Sequence, residues 1–144
     1  MTLKNEYSQS LPKGFRGAGV SAGLKSSGAK DLALIVNDGP DYFASAVFTT
    51  NQVVAAPVIW SRQVLKDNQV SAVLLNSGGA NAATGADGFA DTHKSAEQVA
   101  SLLSISSSDV AICSTGLIGV RLDMEKLLSG LKSAHSSLSS NSTE

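Results

Sequence analysis

Three stretches of this sequence set hydroxyl or amide side chains beside glycine, a combination that can bring side-chain and backbone donors to one point. Ser114-Thr115-Gly116 follows the apolar run Asp109 to Cys113 (DVAIC). A hydroxyl next to a glycine whose N–H is free to project makes two convergent donors, and such donors stabilise negative charge developing on an oxygen. The same tripeptide also serves as an ordinary turn at a strand end. The loop Ser77-Gly78-Gly79-Ala80-Asn81-Ala82-Ala83-Thr84-Gly85 lies where a strand gives way to a helix, a place where N–H groups can point together at an anion or polar ligand. It lacks the Gly-Lys-Ser/Thr of a phosphate-binding loop. Asn76 and Asn81 either touch a substrate there or bond the loop's own backbone, and composition leaves both uses open. Gly17-Ala18-Gly19-Val20-Ser21-Ala22 fits only the loosest dinucleotide fingerprint. No clear strand precedes it, and Gly23 and Gly28 interrupt the helix that should hold a pyrophosphate, so a flexible strand start is the better reading.

Other reactive residue types assemble nothing. His93 falls on the apolar stripe of its helix and His135 in a serine-rich tail, so neither forms a Ser-His-Asp or Cys-His pairing, and no metal site is supported. Cys113 reads as a small core hydrophobe at the end of a buried strand, and Trp60 and Phe89 as core anchors.

The elements that must carry these loops follow from pattern. Residues 1–13 are polar and aperiodic and are expected to be disordered or irregular. The glycine-rich stretch after Gly14 reads as irregular or as an edge strand. Asp31 to Asn37 (DLALIVN) and Tyr42 to Thr50 (YFASAVFTT) flank Asn-Asp-Gly-Pro and predict a β-hairpin. Ala55 to Trp60 predicts a short strand, Ser61 a cap for the helix-like SRQVLKD, and Val70 to Asn76 a further strand. Phe89, His93, Ala96, Val99, Ala100 and Leu103 recur at helical spacing, with Asp87 as cap. After DVAIC comes a loop, Ser114 to Arg121, and then a helix capped by Asp123 that carries Met124, Leu127, Leu128 and Leu131 on one face. This order predicts an α/β fold: a layered mixed β-sheet with helices on one side. One domain is expected over residues 14–132, followed by a Ser-rich flexible tail over 133–144.

Bulk properties exclude several partner classes. Eleven Lys and Arg against twelve Asp and Glu give a formal charge of -1, which offers no footprint for nucleic acid or an anionic membrane. The first ten residues lack the apolar core of a signal peptide, and no run is long enough to cross a bilayer, so a cytoplasmic location is expected. A single cysteine excludes an internal disulfide framework.

Four stretches in order, GFRGAGVSAGLKSSGAKDLALIVNDGP, SAVFTTNQVVAAPVIWS, AVLLNSGGANAATG and CSTGLIGVRLDMEKL, resemble the amino-terminal part of the ornithine acetyltransferases, over about Gly14 to Leu131. The resemblance implies the layered α/β fold of that family, autocatalytic cleavage of a precursor before a threonine, and attack by that threonine on an acetyl donor. Acetyl would pass from N2-acetyl-L-ornithine to L-glutamate by ping-pong chemistry in arginine biosynthesis. It places the oxyanion hole at the Thr115 hydroxyl and the Gly116 N–H. It implies no cofactor, although bifunctional members also take acetyl-CoA as acetyl donor. The partners implied are a β chain bearing the nucleophilic threonine, in a heterotetramer of two α and two β chains. The Met-Ala-Thr-Met cleavage segment is absent before Glu144, and Ala83-Thr84 lies too early to stand in for it. The isolated chain is therefore expected to be inactive. A non-catalytic binding or remnant module, or an N-terminal-nucleophile hydrolase such as an aminopeptidase, remains the alternative. Uncovered strand edges and apolar faces seek pairing, so the isolated chain is expected to melt broadly or self-associate; a sharply melting monomer on size exclusion would count against this.

Overall fold

The computed structural model describes residues 11–140. Leu32, Leu34 and Val36 alternate with Ala33, Ile35 and Asn37, so a strand can bury one row and leave the other half-covered, and residues Leu32–Asn37 form such a strand, β2. Its hairpin partner precedes it: Phe15–Val20 is β1, paired antiparallel from Phe15 opposite Asn37 to Val20 opposite Leu32. Tyr42 to Thr50 makes no strand. Apart from a single bridge between Phe43 and Gln69 it runs irregularly over the surface, with Phe43 84% and Val47 99% exposed. The strand-like composition of this segment yields because β1 already occupies that edge of β2 and β3 the other.

Residues Ala72–Gly79 form β3, antiparallel to β2, and Val110–Leu117 form β4, parallel to β3, giving the order β1-β2-β3-β4. Among the described residues, three α-helices and two single 3-10 turns, Leu65–Asp67 and Ser107–Asp109, complete the fold. Ala56–Val64 is α1, where a strand and then a capped helix were expected. Pro57 is preorganised for a first helical turn, and Ala56, Pro57, Ser61 and Val64 make one buried helical face. Ser61 therefore sits inside the helix and does not cap it. Gly85–Leu103 is α2, the crossover that a parallel pair of strands requires. Thr84 occupies its cap position, and Asp87 lies in its first turn rather than at the cap. Met124–Ser136 is α3, and the Asp123 carboxylate accepts the Lys126 N–H as a cap should. The expected flexible tail is ordered as far as described: α3 continues to Ser136, Leu138 packs on the core, and Ser139 exchanges two backbone hydrogen bonds with Gly17 on β1. The initial residues 1–10 and the last four lie outside the described residues.

The main core joins Leu34 and Leu74 of the sheet to Val99 of α2 and Leu127, Leu131 and Ala134 of α3, all completely or almost completely buried. The face of α2 turned to it is built of small residues, among them Thr92, Ser95 and Ala96. Phe89 and His93, expected on that face, are instead exposed and pack beside Trp60 of α1, at ring separations of 6.2 Å between Trp60 and Phe89 and 5.0 Å between Trp60 and His93. The half-buried Trp60 also reaches a smaller cluster of Val64, Val70 and Ala111.

Helix α1 covers an otherwise open strand edge. Ser61 Oγ accepts the Ile112 N–H at 2.9 Å and donates to the Ile112 carbonyl at 2.8 Å, while Trp60 Nε1 donates to the Val110 carbonyl at 2.9 Å. Unpaired edge groups are costly when buried, and these bonds satisfy three of them. At the start of β2 the buried Asp31 carboxylate accepts the N–H groups of Ala22 at 2.6 Å, Leu24 at 2.7 Å and Lys25 at 2.9 Å. Burial alone would raise its pKa, but the three backbone donors outweigh that and hold it below the ordinary carboxylate value.

A group whose folded pKa lies below its unfolded value adds stability above the unfolded pKa and loses it as pH falls through the folded one. Asp31→Asn is therefore expected to cost about 2 kcal/mol near neutral pH. The penalty should shrink below about pH 4, where the unfolded carboxyl takes up its proton. Thermal melting of both forms across that range checks this.

Candidate active site

Parallel pairing brings the two glycine-bearing segments to the same end of the sheet: Asn76 lies opposite Ser114, Ser77 opposite Thr115, and Gly78 opposite Gly116. The carboxyl ends of parallel strands are the usual place for ligands in such sheets. The expected loop at Ser114 to Arg121 begins later than the sequence suggests, since β4 continues through Leu117. Thr115 and Gly116 are consequently held by strand geometry.

Alternation along β4 sends Ile112 and Ser114 to the helix-covered side and Cys113 and Thr115 to the other. Thr115 is exposed, and together with Ala33, Leu75, Ser77 and Cys113 it lines a cavity of about 320 Å³. Cys113 is thus exposed rather than part of the core. Desolvation still pushes its thiol pKa up, which disfavours the reactive thiolate. Asp31 also borders the cavity, but its oxygens are engaged by backbone N–H groups. Neither His93 nor His135 lines it. A larger cavity of about 390 Å³ lies between residues 44–49 and the junction of α1 with β4, and its walls are chiefly Ala, Val, Phe and Leu. Such walls hold apolar groups but offer few donors for developing charge.

Gly116 has φ +129°, and a Cβ there would stand 2.6 Å from the Gly78 carbonyl carbon and 2.7 Å from the Gly79 nitrogen. Gly78, with φ +125°, is crowded in turn, since a Cβ on it would meet the Leu24 carbonyl oxygen at 2.9 Å. Both positions need glycine for conformation and for space.

The two asparagines of the neighbouring loop bond within the chain, and Asn76 also borders the cavity beside Thr115. Asn76 is buried, donates to the Gly79 carbonyl at 3.2 Å and accepts from the Ser114 hydroxyl. Asn81, fully buried at φ +48°, donates to the Gly88 carbonyl and to Thr92 Oγ1 and accepts from Thr84 Oγ1. Of the two uses left open for these residues, the bonds are internal. Sequence reasoning missed the Asn76–Ser114 contact. It also missed the ion pair of Arg121 with the buried Asp91, at 2.8 Å from both Nε and Nη2, which ties the chain after β4 to α2. The first was hidden because it needs the register between strands 38 residues apart.

Residues 16–144 match the ArgJ family. The chain belongs to the ArgJ family. It is 58% identical over 132 residues to the arginine biosynthesis bifunctional protein ArgJ of Streptomyces coelicolor, covering 92% of this chain and 34% of that protein. The Mycobacterium tuberculosis protein of the same name is 62% identical over 125 residues, covering 83% and 31%. Among solved structures, ornithine acetyltransferase from M. tuberculosis in complex with ornithine matches with a TM-score of 0.88 and 57% identity, over 90% of this chain and 69% of that one. The ArgJ structure from Bacillus halodurans matches with a TM-score of 0.77 and 34% identity, over 83% and 62%. The chain spans about one third of the length of the curated ArgJ relatives it matches. The expected layered α/β fold of the ornithine acetyltransferases is the fold observed.

The double crowding at Gly116 sets a test of the local geometry. Gly116→Ala is expected to destabilise the protein by about 3 kcal/mol, combining backbone strain with overpacking against β3. Chemical denaturation reads this directly, and a variant as stable as the parent would contradict the contact.

Proposed function

We propose that this chain supplies the oxyanion hole of an acetyltransferase that moves the acetyl group of N2-acetyl-L-ornithine to L-glutamate. The nucleophile is a threonine hydroxyl on a β chain. That oxygen attacks the acetyl carbonyl carbon, and negative charge collects on the carbonyl oxygen. The Thr115 hydroxyl and the Gly116 N–H donate to it. The C–N bond then breaks, the amine of ornithine leaves with a proton, and an acetyl-threonine ester remains. The amino group of glutamate attacks the ester by the reverse sequence and releases the threonine. Each oxyanion donor contributes about 3 kcal/mol to the transition state. In a bifunctional enzyme acetyl-CoA enters at the same step as an alternative acetyl donor. The working assembly is a cytoplasmic heterotetramer of two α and two β chains.

The observation that carries this reading is the position of Thr115. Its side chain is exposed beside a cavity at the carboxyl ends of parallel strands, next to a glycine whose backbone is held by contact with β3. Membership of the ArgJ family and the likeness to M. tuberculosis ornithine acetyltransferase support the acetyl-transfer chemistry.

The test uses a full-length enzyme in which this chain is joined to the remaining two thirds of the S. coelicolor relative. Thr115→Ala is expected to lower kcat for N-acetylglutamate formation about a hundredfold with little change in melting temperature. Unaltered turnover removes the oxyanion assignment. Release of acetate in place of N-acetylglutamate in the parent would turn the reading towards a hydrolase.

A further inference from the structure

We infer that Asn76 is a positioning residue for the oxyanion donors, acting through Ser114; the inference rests on the role proposed for Thr115 and Gly116. The row of β3 that faces the helices is Ala72, Leu74 and Asn76, all buried, and the first two are apolar as that environment favours. A buried amide in such a row must have its polar atoms satisfied or it destabilises the fold, and an apolar side chain of similar size avoids that demand. Asn76 meets it by a specific arrangement. Its Nδ2 donates to the Gly79 carbonyl at 3.2 Å, and its Oδ1 accepts the hydroxyl of Ser114, the residue directly before Thr115.

The orientation of the amide follows from chemistry. The Gly79 carbonyl can only accept, so the nitrogen faces it and the oxygen faces Ser114. One side chain therefore joins the end of β3, where Gly78 and Gly79 crowd Gly116, to the strand position adjoining Thr115. If this link is lost, Ser114 is free to change rotamer and the ends of β3 and β4 can shift relative to each other. Donors that act on a transition state lose much of their value through displacements of this kind.

The experiment is a double-mutant cycle in the full-length enzyme described above. Asn76→Asp keeps the shape but sets a carboxylate oxygen against the Gly79 carbonyl. Ser114→Ala removes the other partner, and Ser114→Thr retains the hydroxyl. Asn76→Asp and Ser114→Ala are each expected to lower kcat about tenfold with KM for N-acetylornithine nearly unchanged, and Ser114→Thr to restore most of the rate. In a Thr115→Ala background the penalty from either should fall to about threefold or less, because the donor they help to place is already gone.

Equal penalties in both backgrounds would overturn the inference by showing that Asn76 does not act through Thr115, as would full activity of both single variants. Should Asn76→Asp fail to fold, the Ser114→Ala cycle decides alone. Full turnover of Thr115→Ala by itself would defeat the proposed function, an outcome separate from additivity in the cycle.

Discussion

The close approach of two backbones at Gly78 and Gly116 is the constraint on which the arrangement of this protein turns. Side chains normally hold neighbouring strands at a regular distance, but here a Cβ on either residue would collide with main-chain atoms. Backbone atoms cannot swing aside as the end of a flexible side chain can, so the contact permits one geometry. It lies beside Thr115, and it is backed from the other side by Leu24. Leu24 is in turn held by Asp31, whose carboxylate gathers the N–H groups of the turn at Ala22, Leu24 and Lys25. A buried charge at the start of β2 thereby supports backbone at the far end of β4.

Strand edges are managed so that β4 stays in register to its end. Its outer edge is occupied by Ser61 and Trp60 of α1 through side-chain bonds to Val110 and Ile112, and the outer edge of β1 by Ser139. The arrangement stops short of Ser114. From there onward the strand is held by its pairing with β3, by Asn76 and by the glycine contact. The part of β4 that carries the proposed chemistry is therefore fixed from the β3 side.

Charged side chains in this chain mostly pin loops. Asp123 caps α3, Arg121 grips Asp91 in a two-bond fork, and Arg16 pairs with Asp38 at 2.7 Å across the outer hairpin. Each lowers or raises a pKa in the direction that favours the ionised pair. The cavity beside Thr115 is mixed: Ser77, Cys113 and apolar residues share its wall with Lys30, Asn76 and Asp31, the last turned to its own backbone partners.

Elements whose pattern depends on near neighbours in the chain were legible in the sequence. The strand over Asp31 to Asn37, the long helix beginning near Asp87 and the cap at Asp123 all rest on alternation, helical spacing or a side chain bonding a backbone group a few residues on. The stretch Ala55 to Trp60 was misread because Val, Ile and Trp favour strands by composition, whereas the helical face of Ala56, Pro57, Ser61 and Val64 emerges only against β4. Tyr42 to Thr50 was misread for the converse reason, since a strand needs a free edge and β2 had none to offer. The serine-rich stretch after Lys132 looked structureless because its few apolar residues matter only once β1 and the core stand beside them. Thr115 and Gly116 could be singled out as residues by type and by resemblance. Their neighbours Asn76, Gly78 and Leu24 could not, because contacts between strands distant in sequence depend on register, and register exists only after the sheet has formed.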